Sequence, residues 1–321
     1  MKRIKYLLSV IALSTTLISC GAADVIEDSV IPASGNDSPS SVEASKSKGT
    51  RDNTIKVLEP KADGVTVYAH NVVSIDASNA SEGYVMVSYA GDAKKVRMLI
   101  ETPTGNTYNY LMSLDGQYDV YPLSEGDGNY KIGVYENIRD DQYSVAFSQT
   151  VTVKLNNEFG PFLYPNAYVD FNSSSKAVAK GKELAASADN ELDVVESVYH
   201  YLAKNVSYDY DKAETVQSGY IPVVDETLAS GKGICFDYAS LMGAMLRSQG
   251  IPTRLEIGSA GTEYHAWVSV YTKDQGWIDD IIQFDGKNWI LMDPTLASYA
   301  KKKTIKEHWE SDTYYQLYYK Y

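Results

Sequence analysis

Three residues in the C-terminal half of this chain carry the side chains needed for acyl transfer: Cys235, His265 and Asp293. Cys235 follows the glycine-rich run Gly231-Lys232-Gly233-Ile234 and opens an apolar stretch of helical period. Unpaired N–H groups and the dipole at a helix start favour a thiolate, which is the nucleophilic form of cysteine. The same N–H groups can hold a developing oxyanion. A cysteine in that place is equally a small buried hydrophobe. His265 comes thirty residues later, in Tyr264-His265-Ala266-Trp267-Val268 at the opening of a strand-like run. An imidazole there can take the thiol proton and return it to a leaving amine, although a histidine on a sheet is often only structural. Asp293 closes the run Trp289-Ile290-Leu291-Met292, 28 residues after His265. A carboxylate at a strand end can hydrogen-bond the imidazole and fix its tautomer; an Asp before Pro294 is also an ordinary turn former. His200 has no such setting and lies one helical turn from Glu196, an i,i+4 pairing.

Elements of two kinds must position these residues. Residues 172–188 read as helical, and Leu192, Val195, Val198, Tyr199 and Leu202 set a helical period over 190–204. A third helix is expected over 235–249, where Gly250 supplies the stop. Strand-like runs follow at 253–257, 265–271 and 289–292, so this half reads as α+β.

Four blocks of this region resemble the core of the transglutaminase-like superfamily: Gly-x-Gly-Ile-Cys-x-Asp-Tyr-Ala around Cys235, Leu-Arg-x-x-Gly-Ile-Pro from Leu246, His265-Ala-Trp-Val, and Asp293-Pro-Thr. They occur in the family's order and spacing over about residues 160–300. Tyr208-Asp209-Tyr210 and Gly219-Tyr220 further resemble bacterial, Firmicutes-type members with an N-terminal β-domain. The resemblance implies a papain-like domain over 158–321. In it Cys235 is the nucleophile, His265 the base and Asp293 its orienter, with no metal and no cofactor. Animal transglutaminases also carry an upstream tryptophan for the oxyanion and calcium loops. Here Trp267 is the first tryptophan, and no acidic stretch reads as a calcium loop. The oxyanion donors expected instead are the Cys235 backbone N–H and a side chain from Tyr208 or Tyr220. Trp267 and Trp277 either wall the acyl site or pack in the core. Asp279, Asp280 and Asp285 could attract an amine or form a solvated acidic loop.

Residues 55–157 carry about seven short alternating runs separated by Gly, Asn and Asp turns, among them 65–68, 84–89, 95–100, 130–135 and 150–153. That pattern suggests an all-β, immunoglobulin-like sandwich, serving as a spacer or docking a glycan or protein. The 27 tyrosines against 6 phenylalanines suggest exposed sheets and an aromatic-lined surface.

The N-terminus reads as an address. Lys2, Arg3 and Lys5 precede a short apolar stretch, and Leu17-Ile18-Ser19-Cys20 resembles a bacterial lipobox. Residues 1–20 are expected to be a lipoprotein signal peptide with Cys20 lipidated, and residues 21–54 a flexible tether. Cys235 would then be the one unmodified thiol of the 321-residue chain. The formal charge of −13 argues against a nucleic-acid partner. The whole reads as an exported, membrane-anchored protein acting on protein or peptide amides at the cell surface through a thioester. Its alternative is a non-catalytic binding or assembly module that keeps the fold.

Overall fold

Period-two alternation builds the first half of the structure. A computed structural model describes residues 48–260, 263–279, 282–284, 289–291 and 315–321. Strands β1 (Val67–His70), β2 (Val73–Asp76), β3 (Tyr84–Tyr89), β4 (Val96–Glu101), β5 (Thr107–Leu111), β6 (Asp119–Pro122), β7 (Gly128–Arg139) and β8 (Gln142–Val153) form two four-stranded antiparallel sheets. Their orders are β1-β2-β3-β6 and β5-β4-β7-β8. Val73, Ile75, Val85 and Val87 of one sheet share a core with Val96, Met98, Ile100, Ile132 and Val134 of the other. Alternation is plain in β5, where Thr107 and Asn109 are exposed while Tyr108 and Tyr110 are buried.

The second half begins with helices α1 (Lys176–Ala185) and α2 (Glu191–Asn205). The Asn190 side chain caps α2 in a reciprocal box with Asp193. Two short helices follow, α3 (Tyr210–Thr215) and α4 (Val224–Ser230), then α5 (Cys235–Arg247). A two-residue parallel pairing joins β9 (Ser207–Tyr208) to β10 (Lys232–Gly233). The antiparallel sheet is ordered β13 (Gly276–Ile278), β12 (Glu263–Thr272), β11 (Thr253–Ala260), β16 (Tyr315–Lys320). A separate pair joins β14 (Ile282–Phe284) to β15 (Trp289–Leu291). The described residues form one compact unit, with a continuous core from Val73 to Tyr321. Helix α5 sits deep in it, every residue from Asp237 to Arg247 being buried.

Two expectations are corrected. Tyrosine is a core residue here: Tyr89, Tyr110, Tyr121, Tyr130 and Tyr238 are at most 1% exposed. Most of these and their neighbours bury the ring and keep the hydroxyl paired: Tyr89 donates to Glu136, Tyr108 to Glu125 and Tyr130 to the Gly126 carbonyl. Tyr110, Tyr121, Tyr168 and Tyr321 meet ring on ring at 4.7–5.7 Å, joining the β5–β6 region to the C-terminal half. The expected tether also ends before residue 54. The Gly49 and Arg51 N–H groups donate to the Ala186 and Ala188 carbonyls, and Arg51 Nη2 donates to the Gln249 carbonyl at 2.7 Å. A Cβ on Gly49 would lie 2.1 Å from the Ala188 oxygen, so only glycine fits. Residues 1–47, Cys20 included, lie outside the described residues.

Arg247 ends α5 with its guanidinium 0% exposed. It makes four hydrogen bonds of 2.8–3.0 Å to three main-chain oxygens, those of Thr253, Tyr164 and Tyr321. Burial pulls the group down to about 9, so it stays charged at neutral pH. Arg247→Met would strand the Thr253 and Tyr164 oxygens, each at a cost of about 1–3 kcal/mol, and leave the Tyr321 oxygen with the Leu255 N–H alone. Urea unfolding should show a loss of roughly 3 kcal/mol or more, with Arg247→Lys recovering less than half because one ammonium cannot span all three acceptors.

Candidate active site

A glycine turn aims the cysteine. Gly231 caps α4 in the left-handed conformation at φ 61°, where a side chain would be strained. The Ser207 and Asp209 N–H groups donate to the Gly231 and Gly233 carbonyls at 2.9 and 3.0 Å. The chain thus reaches Ile234 in extended form and turns into α5 at Cys235. Cys235 is half-buried at the first helical position, where backbone N–H groups lack helical partners.

Asp237 organises this turn. Its carboxylate reaches back to the Ile234 N–H at 2.8 Å, half of a capping box. It is 0% exposed and also accepts from Lys212 Nζ at 2.8 Å and from the Tyr220 hydroxyl at 2.5 Å. Lys212 Nζ donates to the Tyr220 oxygen too and lies 4.2 Å over its ring. Partial burial works against the Lys212 charge, but its bonds to Asp237 and Tyr220 outweigh this and hold the ammonium above its usual value. A raised cation stabilises the fold below its unfolded pKa and loses that contribution as pH climbs through the folded value, so this pair weakens only in strong alkali. Burial, and then the bond to Asp237, push the Tyr220 phenol up to about 12.

Tyr220 is therefore used differently from the expectation: its O–H is given to Asp237 and is not available as an oxyanion donor. Tyr208 lies in β9, beside Gly233 in register, with its ring 4.9 Å from that of Tyr210. Tyr238 donates to the Val206 carbonyl and is a packing residue.

His265 lies on β12, the strand that packs against α5, opposite Gly258. Its ring is stacked on Trp267 at 6.4 Å, and Trp267 is 2% exposed, so that indole backs the imidazole from inside the protein. Strand alternation puts His265, Trp267 and Ser269 on one face and Tyr264, Ala266 and Val268 on the other. Ala266 and Val268 join the core that contains α5. Tyr264 is 64% exposed and stacked over Tyr318. Desolvation first, and then Tyr319, Cys235 and Tyr318, push its phenol up to about 12. Asp293 lies outside the described residues, as do Asp280 and residues 292–295; Asp285 does too. Trp277 is packing: Arg254 sits 3.5 Å over its ring, among Phe159, Phe162 and Tyr271. Asp279 faces the same arginine at 3.8 Å. His200 pairs with Glu196 at 3.4 Å.

Lys212, Asp237 and Tyr264 escaped the sequence reading. Asp237 had a signal, an acid at the third helical position. Lys212 had none, because its partner is 25 residues away along the chain.

Residues 178–280 match the model of the transglutaminase-like superfamily, so this part of the chain is a transglutaminase-like domain. That fold family includes transglutaminases and cysteine peptidases. Among curated relatives, an uncharacterised protein, YebA, of Bacillus subtilis is 27% identical over 59% of this chain and 30% of its own length. A UPF0252 protein of Methanocaldococcus jannaschii is 33% identical over 37% of each. The chain thus spans about a third of the relatives it matches. Among solved structures, a protein of Cytophaga hutchinsonii provisionally described as a cysteine protease is 17% identical, covers 67% of both chains and has a TM-score of 0.34. Red sea bream transglutaminase is 11% identical, covers 68% of this chain and 48% of its own, and has a TM-score of 0.26.

A Cβ on Gly233 would lie 2.6 Å from the Asp237 Cβ. Gly233→Ala should push Asp237 off the Ile234 N–H, cost about 1–3 kcal/mol, and show as a lowered thermal midpoint.

Proposed function

We propose that this protein is an exported, lipid-anchored thiol acyltransferase or peptidase. Cys235 is its nucleophile, His265 the base, and Asp293 the group that orients the imidazole. The observation that carries this is Cys235 at the first position of a buried helix, after a glycine turn, inside the region matching the transglutaminase-like superfamily. In the reaction, His265 takes the thiol proton and the sulfur attacks a carboxamide or peptide carbonyl. The tetrahedral oxyanion is held by the Cys235 N–H and by a side chain, Tyr208 among the candidates. The C–N bond breaks, the amine leaves with the proton from His265, and a thioester remains. Water resolves it to an acid, or a second amine resolves it to a new amide.

The two N-terminal sheets are proposed to be an immunoglobulin-like docking domain for a glycan or protein. A cleft of about 690 Å³ between β5–β6 and residues 221–225, lined by Leu111, Tyr118, Asp119, Asp170 and Ile221, supports that role. Cys20 is proposed as the lipidated anchor, and protein or peptide at the cell surface as the substrate, with no nucleic acid.

One observation favours the second reading, a binding or assembly module without turnover. His265 is on the face of β12 opposite to Ala266 and Val268, which join the core that contains α5, and is stacked on Trp267. Iodoacetamide separates the two. For an enzyme, Cys235 should label at neutral pH or below, faster than free cysteine, and His265→Ala should slow labelling by about 10²-fold or more. A free-thiol rate that His265→Ala leaves unchanged selects the binding module. Trapping the thioester from an envelope extract, wild type against Cys235→Ala, then identifies the acyl donor by mass.

A further inference from the structure

We propose that Lys212 is a positioning and charge-compensating residue for the Cys235 site, acting through the buried Asp237 carboxylate. The inference rests on Cys235 being a reactive thiol, as proposed above. Asp237 shares the first turn of α5 with Cys235, is 0% exposed, and accepts one strong bond from a cation, Lys212 Nζ at 2.8 Å. A buried carboxylate that close opposes a second negative charge on the sulfur. With Lys212 in place the pair is neutral, and the helix start can favour the thiolate. The same contact holds a segment against the site. Lys212 belongs to α3, and Tyr220 lies on the strap of residues 216–223 leading to α4. Both bond Asp237, and Gly219, in the left-handed region at φ 91°, brings the strap onto the Leu111 side chain of β5.

The charged or titratable groups on the elements next to the first turn of α5 include Asp237 on the helix itself, Lys212 on α3 and Tyr220 on the strap, both bonded to Asp237, Tyr208 on β9, paired with Gly233, and Tyr264 and His265 on β12, the strand packed against α5. Of these, Lys212 is the aliphatic cation, and its bonds to Asp237 and Tyr220 are those already described.

The test is the pH profile of Cys235 labelling by iodoacetamide in the full chain, with circular dichroism checking the fold. In Lys212→Met the pH of half-maximal labelling should rise by about one, as expected of an uncompensated charge within roughly 10 Å at an effective dielectric of about 20. Lys212→Arg should return it close to wild type. The double variant Lys212→Met/Asp237→Asn should also return it, because the carboxylate leaves with its partner. A folded Lys212→Met whose profile overlays the wild type overturns the proposal, as does a double variant no different from Lys212→Met. Should Lys212→Met not fold, Lys212→Gln, which keeps a donor for Asp237 without the charge, decides: a midpoint above wild type supports the proposal, and an unchanged one overturns it. Iodoacetamide reads thiol ionisation without a substrate. Failure of the acyl-transfer reading, seen as indifference to His265→Ala, is therefore distinguishable from failure of the Lys212 proposal.

Discussion

One buried helix carries a charge problem at each end, and much of the C-terminal half is arranged to solve it. At the far end, the Arg247 guanidinium is out of water and held by the main-chain oxygens of Thr253, Tyr164 and Tyr321. Those oxygens come from the first residue of β11, the connector after the N-terminal sheets, and the residue after β16. A charge stripped of water is tolerated only where its donors are all engaged. The three segments must therefore meet at one point, and that meeting fixes where β11 starts and where β16 pairs. The strand that carries His265 is registered on β11. The placement of the candidate base thus traces back to a residue with no role in chemistry.

The near end poses the same problem with the opposite sign. Asp237 closes the first turn of α5, and an acid buried that deeply needs donors around it. It finds them in the Ile234 N–H, Lys212 and Tyr220. A requirement for folding thereby sets the electrostatics beside Cys235. It also recruits the strap, which in turn forms one wall of the cleft below β5 and β6.

Tyrosine joins the two halves for a related reason. A phenol supplies nearly the apolar area of a phenylalanine, yet its hydroxyl can satisfy a carbonyl or carboxylate inside the protein. Tyr108 bridges both roles: it donates to Glu125, accepts from the Lys320 N–H, and meets the Tyr319 and Tyr321 rings edge-on. Composition alone suggested a wet, aromatic surface. The count of tyrosines is the same for either outcome, and only the location of partners tells them apart.

By itself the sequence determined the local features. The helical period of 235–249, the glycine turn before Cys235, the stop at Gly250 and the alternation of the β-strands are written in neighbouring residues, and the elements form where they indicate. The ordered blocks around Cys235 and His265 pointed to the superfamily matched over 178–280. The tertiary structure decided what depends on pairs far apart along the chain. It gave Lys212 to Asp237, spent the Tyr220 hydroxyl on the same acid, and stacked Tyr264 on Tyr318. It docked residues 49–56 on the helical half and set β16 beside β11. A side chain's partner is set by packing and by the cost of leaving a buried polar group alone, and neither is visible until the chain has folded.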